Sequence, residues 1–309
     1  MVLTVTPNAA LDKTYLLERF VIDRVHRPKE TRALAGGKGV NVARVVRTLG
    51  GKSVATGFLG GNTGREVREK LAGEGIQDAF MEVAGESRLC LAFIDISAGT
   101  QTEVNENGPE ISTASQERFR TRFEGLLEDA SWVALCGSLP PGVPPEFYRD
   151  LILVAKERGV RTALVASGEA LRLGLEAGPD IVKPNAAEAS ALLGREIETV
   201  GEAADAGREL LAMGVQLVAI TLGRCGAVAL DASAAWFAEP PTVEFHSAVG
   251  SGDAFLAGLL HTMEEGRFSA DALRLATAAG AANAVTYGAG VVDRRVMDDL
   301  AARVSVSVL

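Results

Sequence analysis

Short apolar runs alternate with helical patterns along most of the chain. Val2–Thr6, Ser53–Leu59, Trp132–Cys136, Thr162–Ala166, Asp180–Val182 and Leu217–Thr221 read as buried strands. Helical periodicity lies between them, over Val40–Leu49, Arg65–Ala72, Gln116–Leu127, Pro145–Arg158, Ala186–Leu193 and Glu202–Met213. Gly50, Gly159 and Gly214 follow three of these, where a left-handed cap would end a helix. Continuous apolar strands interleaved with helices predict an α/β fold with a parallel sheet covered on both faces. Towards the C-terminus the pattern changes. Ala227–Asp231 and Ala234–Ala238 suggest a hairpin, and helices are predicted over Asp253–Met263, Ala270–Val285 and Arg294–Val304.

Two stretches break the alternation. Lys13–Leu34 mixes polar and apolar residues with little helical period, and Arg88–Val104 reads as two short strands around Ser97-Ala98-Gly99-Thr100. Both look like strand material outside the main sheet. They predict a small separate sheet, a flap over the carboxyl ends of the main strands, where α/β sheets bind ligands. With no Pro/Ser-rich linker and no repeat, residues 1–309 read as one domain carrying lid segments at about 13–34 and 88–104.

Composition narrows the function classes. The chain has 309 residues, 47% of them hydrophobic, and a net charge of −9. It lacks the basic field that nucleic acid requires, so an anionic substrate must be held by a few local cations. Cys90, Cys136 and Cys225 lie far apart in apolar runs and read as reduced core thiols, not a disulfide framework or a zinc site. The opening MVLTVTPNAALD has no basic n-region, and no segment is apolar enough to span a bilayer. A soluble cytoplasmic protein without a membrane or nucleic-acid partner is expected.

Candidate chemistry follows the strands. Gly50-Gly51-Lys52-Ser53 ends like a phosphate-binding P-loop, but Val46 stands where that motif needs glycine, so it reads as a helix cap before a strand. No Gly-x-Gly-x-x-Gly follows a strand, which argues against a dinucleotide-dependent dehydrogenase. The strongest element is Gly250-Ser251-Gly252-Asp253, leading directly into an apolar helix. Its glycines let backbone N–H groups converge, and the helix start adds a positive dipole end, a cradle for a phosphate in transit. Asp253 there can accept a proton from an attacking hydroxyl. The plainer reading is a helix N-cap in a tight turn.

Five weaker elements join it. Gly36-Gly37-Lys38-Gly39-Val40-Asn41 offers bare backbone, the Lys38 charge and an amide for hydroxyls, or else a flexible loop. Asp12 follows the first strand and could accept from a diol, or simply close a turn. Ser138, in Cys136-Gly137-Ser138, could donate to a phosphate. In Lys183-Pro184-Asn185-Ala186-Ala187-Glu188, Asn185 and Glu188 suit the shell of a hard Mg²⁺ ion held through water; their spacing is equally that of a capping box. Thr221-Leu222-Gly223 would let a nucleotide approach closely.

As a set, TPNAALD, GGKGVNVARVVRTLG, GSLPPGV, VKPNAAE, TLGRCGA and VGSGDAFLAG resemble the ribokinase-like carbohydrate kinases, in the phosphofructokinase-B branch, across essentially the whole chain. Ser251 stands where that branch more often has alanine, and Ala9 where it usually has proline. The resemblance implies a ribokinase-like three-layer sandwich, a mostly parallel central sheet with a small β-sheet lid that often clasps a homodimer. It implies ATP and Mg²⁺ as cofactors, and leaves a monovalent cation near Ser247–Val249 open. It gives Asp253 the role of catalytic base, and Gly250, Ser251 and Gly252 that of an anion hole. Asp12, Gly37 and Asn41 match sugar-binding positions, Arg88 one that holds the substrate's existing phosphate, with Lys38 and Ser138 assisting. Lys183, Asn185, Glu188, Thr221, Gly223, Ser251 and Gly252 match the ATP side. Thr102–Pro109 is similar to a stretch of 1-phosphofructokinases, so fructose 1-phosphate is the expected acceptor. Tagatose 6-phosphate and fructose 6-phosphate are the rivals, and a sugar sensor without catalysis is the reading from another class.

Overall fold

A computed structural model describes residues 1–263 and 268–309. The chain runs β1 (Val2–Thr6), β2 (Ala10–Leu17), β3 (Glu30–Gly36), α1 (Lys38–Thr48), β4 (Ser53–Gly60), α2 (Gly61–Gly73), β5 (Gln77–Asp78), β6 (Met81–Val83), β7 (Arg88–Asp95) and β8 (Thr100–Asn105). It continues through α3 (Thr113–Leu126), β9 (Trp132–Cys136), α4 (Phe147–Glu157), β10 (Arg161–Val165), α5 (Gly168–Glu176), β11 (Ile181–Val182), α6 (Ala186–Leu193), α7 (Val200–Ala212) and β12 (Leu217–Thr221). The last quarter holds β13 (Ala227–Leu230), β14 (Ala235–Glu239), α8 (Ser251–Met263), α9 (Ala270–Ala284), α10 (Arg294–Ala301) and β15 (Ser305–Val308).

The main sheet has the order β15-β14-β13-β12-β11-β10-β9-β1-β4-β5, with β6 also paired to β4. It is parallel from β5 to β12 and antiparallel beyond. Alternation along each strand sends side chains to two cores. Leu3, Val5, Val133, Leu135 and Leu164 pack with α3, α4, α5 and α7 on one face. Val2, Trp132, Ala134, Ala163 and Ala219 pack with α1, α8, α9 and α10 on the other. This second face is rich in alanine, and its helices α8 and α9 approach closely. A Cβ on Gly258 of α8 would lie 2.9 Å from Ala276 Cα of α9, so the two backbones touch there.

Four strands form the separate small sheet, in the order β3-β2-β7-β8. β2 runs parallel to β7 and antiparallel to β3, placing Asp12 opposite Leu34 and Cys90. The small sheet begins at Ala10, not Lys13. Asp12 therefore lies inside a strand of that sheet, not in a turn at the end of β1. α5 is a helix that the sequence pattern does not flag, because Gly168 and Gly174 interrupt its apolar period. The predicted helix to Val304 ends at Ala301, and the alternating Ser305–Val308 becomes an edge strand on β14. Cys136 is buried, but Cys225 sits exposed in the short turn Gly223–Cys225 and is not a core thiol. No helix among the described residues is long and apolar enough to cross a membrane.

Candidate active site

The small sheet and the carboxyl ends of the main strands enclose a cavity of about 1090 Å³. The start of α8 forms its floor. Gly250, at φ +85°, has no room for a side chain: a Cβ would lie 2.4 Å from Gly290 N. Ser251 N donates to Ala248 O, while Asp253 N and Ala254 N donate to Gly250 O. Among the described residues the amides of Gly250 and Gly252 keep no backbone partner, so two donors remain for an anion at the positive end of the helix.

Asp253 is 7% exposed. Its carboxylate accepts from Asn41 Nδ2 at 2.8 Å. Burial holds its pKa above the usual carboxylate value, against the pull of Lys38, the Asn41 bond and Lys183. Asn41 is held in turn by Arg44, whose Nη1 donates to Asn41 Oδ1 at 3.0 Å and to Ala289 O at 2.8 Å. Glu74 balances the guanidinium at 2.6 Å. Arg44 is buried in a run of valines and alanines. Sequence reasoning passed over it, although an arginine inside an apolar helix face is the signal that would have found it.

From the small sheet come Asp12, Arg88, Cys90, Glu103 and Asn105. The Asp12 carboxylate rests on the bare Cα of Gly36, where a Cβ would lie 2.1 Å from Oδ1. Burial pushes its pKa up to about 6, with Arg44 and Arg88 pulling it down. Arg88 donates from Nε to Asn8 O at 3.1 Å and from Nη1 to Glu106 O at 3.2 Å. Gly37, at φ +106°, presses on Thr6 and leaves its backbone facing the cavity.

The opposite end is lined by Lys183, Asn185, Glu188, Thr221 and Gly223. Burial draws Lys183 below its ordinary value, opposed by the nearby Glu188 carboxylate. Asn185 and Glu188 do form the capping box of α6: Glu188 N donates to Asn185 Oδ1 at 2.8 Å and Asn185 N to Glu188 Oε2 at 2.9 Å. Lys38 Nζ reaches the other oxygen, Oε1, at 3.1 Å. With both oxygens engaged, this pair suits a Mg²⁺ ion met through water better than one bound directly. Ser138 is exposed and does not line the cavity; its Oγ lies 3.4 Å from Asn8 Nδ2. The remaining predicted residues all border the one space.

The chain matches the pfkB family carbohydrate kinase profile over residues 7–294. It is 40% identical over 276 residues to a 1-phosphofructokinase of Rhodobacter capsulatus, covering 89% of this chain and 87% of that one. A tagatose-6-phosphate kinase of Staphylococcus epidermidis is 32% identical over 309 residues, 99% of each chain. The structure of Escherichia coli phosphofructokinase-2 in complex with potassium aligns at a TM-score of 0.90 and 29% identity, covering 98% of both chains.

Proposed function

Because the chain belongs to the pfkB family of carbohydrate kinases, we propose that it transfers the γ-phosphoryl group of ATP to fructose 1-phosphate, giving fructose 1,6-bisphosphate. The observation that carries this reading is the buried Asp253 carboxylate, beside two open amides and in one cavity with Asp12 and Arg88.

In this reading the sugar lies against the small sheet. Asp12, Asn41 and the Gly37 backbone take its hydroxyls, and Arg88 meets its existing phosphate, while Lys38 stays paired with Glu188 on the nucleotide side. The hydroxyl at carbon 6 attacks the γ-phosphorus in line with the departing ADP. Asp253 takes the proton, its basicity raised by burial and its orientation set by Asn41. In the segment Gly250-Ser251-Gly252 the two open amides, those of Gly250 and Gly252, face the moving phosphoryl group, and Lys183 offsets ATP charge. Thr221 and Gly223 border the nucleotide. Magnesium, carried with ATP near Asn185 and Glu188, would neutralise phosphate charge through water-bridged contacts.

The whole described chain acts as one kinase unit, with the small sheet as lid. The potassium bound by the Escherichia coli relative supports a monovalent cation near Ser247–Val249 here. Ile22 and Val25 are 88% and 86% exposed on the lid's long loop, and Ile96 and Val104 add apolar surface. That surface supports a homodimer joined through the lid.

The 32% relative, matched over the full length, favours tagatose 6-phosphate as the second reading. An ADP-release assay across fructose 1-phosphate, fructose 6-phosphate, tagatose 6-phosphate and free fructose decides. We expect the highest kcat/KM on fructose 1-phosphate. A higher value on tagatose 6-phosphate would transfer the assignment to that sugar, and equal use of free fructose would remove the role of Arg88.

A further inference from the structure

Ser251 replaces the alanine more usual at its position, and for the backbone the exchange is silent. Its hydroxyl, however, has a partner fixed from outside the motif. Asn283, on α9, has no solvent exposure. Two neighbours of one kind each fix its amide: Val249 O, 2.8 Å from Nδ2, can only accept, and Gly290 N, 2.7 Å from Oδ1, can only donate. Nδ2 is therefore the atom that faces Ser251 Oγ, at 3.2 Å, and the hydroxyl must accept. A hydroxyl that accepts keeps its own hydrogen for another acceptor. Among the described residues no protein oxygen takes that hydrogen, and Ser251 lines the cavity beside Gly250, Gly252 and Asp253.

We propose that the Ser251 hydroxyl is a catalytic donor to the phosphoryl group in transfer, aimed by Asn283 as a positioning residue. The inference rests on the kinase reading above. In the step, the sugar oxygen bonds to the γ-phosphorus, the bond from that phosphorus to the β,γ-bridging oxygen breaks, ADP leaves, and the sugar proton goes to Asp253. Ser251 keeps its proton throughout. Its hydrogen bond strengthens as charge gathers on the equatorial oxygens, which lifts the rate and not ground-state affinity. Asn283 also ties down Gly290, the residue against which Gly250 packs, so one buried amide holds both the hydroxyl and the backing of the amide pair.

The test is Ser251→Ala on whichever hexose phosphate the parent chain uses best. A lost donor of this kind lowers kcat on the order of 10²-fold, and KM for ATP and sugar phosphate should move by less than about threefold. Affinity for ADP with aluminium fluoride and sugar phosphate, which mimics the transfer state, should fall by the same factor as kcat. Melting temperature, measured alongside, should match the parent. Asn283→Ala should lower kcat too, and adding Ser251→Ala to it should cost little more, since the two groups act as one unit. A Ser251→Ala enzyme with kcat within about twofold of the parent, or with its loss in KM alone, overturns the proposal and leaves the kinase reading standing. A parent chain that phosphorylates no hexose phosphate overturns both.

Discussion

The floor and the roof of the cavity are built on different physical terms. The floor rests on α8 and α9, most of whose residues are buried and whose backbones touch. Its charged groups, Asp253 and Lys183, are tuned mainly by exclusion from water. The roof is a sheet whose central strands are mostly half-buried and whose outer strand, β8, is largely exposed. Its groups are held from the strands and their neighbours: Arg88 is placed by backbone carbonyls, and burial, the largest influence on Asp12 as well, is opposed there by the Arg44 and Arg88 guanidinium groups. The contrast suggests that reaction rate is set by the floor, and choice and retention of the sugar by the roof.

The hardest blow to that division comes from the floor. Asp253→Asn should lower kcat by about 10²–10⁴, the usual worth of a general base, with KM for the sugar phosphate little changed. Survival of activity within about tenfold would remove the general-base role of Asp253. Gly250→Ala comes next. Its Cβ would strike the 289–290 backbone, so the amide pair must shift, and kcat should fall on the order of 10²-fold. A single-turnover measurement would separate this from weaker binding.

On the roof the signature should change. Arg88→Ala should raise KM for the sugar phosphate by roughly 10- to 100-fold while kcat stays within a few-fold, because a lost charged hydrogen bond costs about 1.5–3 kcal/mol. An unchanged KM would mean that the existing phosphate lies elsewhere. The mildest effect is one of pH. With Asp12 near a pKa of about 6, lowering the pH through that value protonates it and removes an acceptor from the sugar. KM for the sugar should rise by about tenfold between pH 7 and pH 5, and Asp12→Asn should flatten the profile. Stability should move the opposite way. The folded state holds this proton more tightly than the unfolded chain, so ionising Asp12 costs stability between about pH 4 and pH 6. Asp12→Asn should therefore melt higher than the parent at pH 7, as differential scanning calorimetry would report.

Much of the floor was legible in the sequence, because its elements announce themselves locally. The buried strands are unbroken apolar runs, and Gly250–Asp253 leads directly into the apolar helix α8, an entry that glycine turn chemistry marks. The capping box at Asn185 and Glu188 was equally readable as spacing, and it exists. The roof was readable only as a departure from helical pattern. Ala10–Leu17 carries Asp12 and Lys13 amid apolar residues, and nothing local says which sheet such a strand joins. Long-range contacts were not legible at all. Arg44 reaches Ala289, and Asn283 reaches Val249 and Gly290, through bonds whose partners only the fold brings together. Ser138 was placed by motif alone, and the fold sets it outside the residues that line the cavity, beside Asn8.

The contact between Gly258 and Ala276 has a mechanical consequence. Where side chains separate two rods, they can swivel and let the rods slide; where main chain meets main chain, there is no such bearing. The end of α8 is thus a fixed anvil, and whatever travel accompanies a catalytic cycle has to be taken up across the gap, by the strands above it.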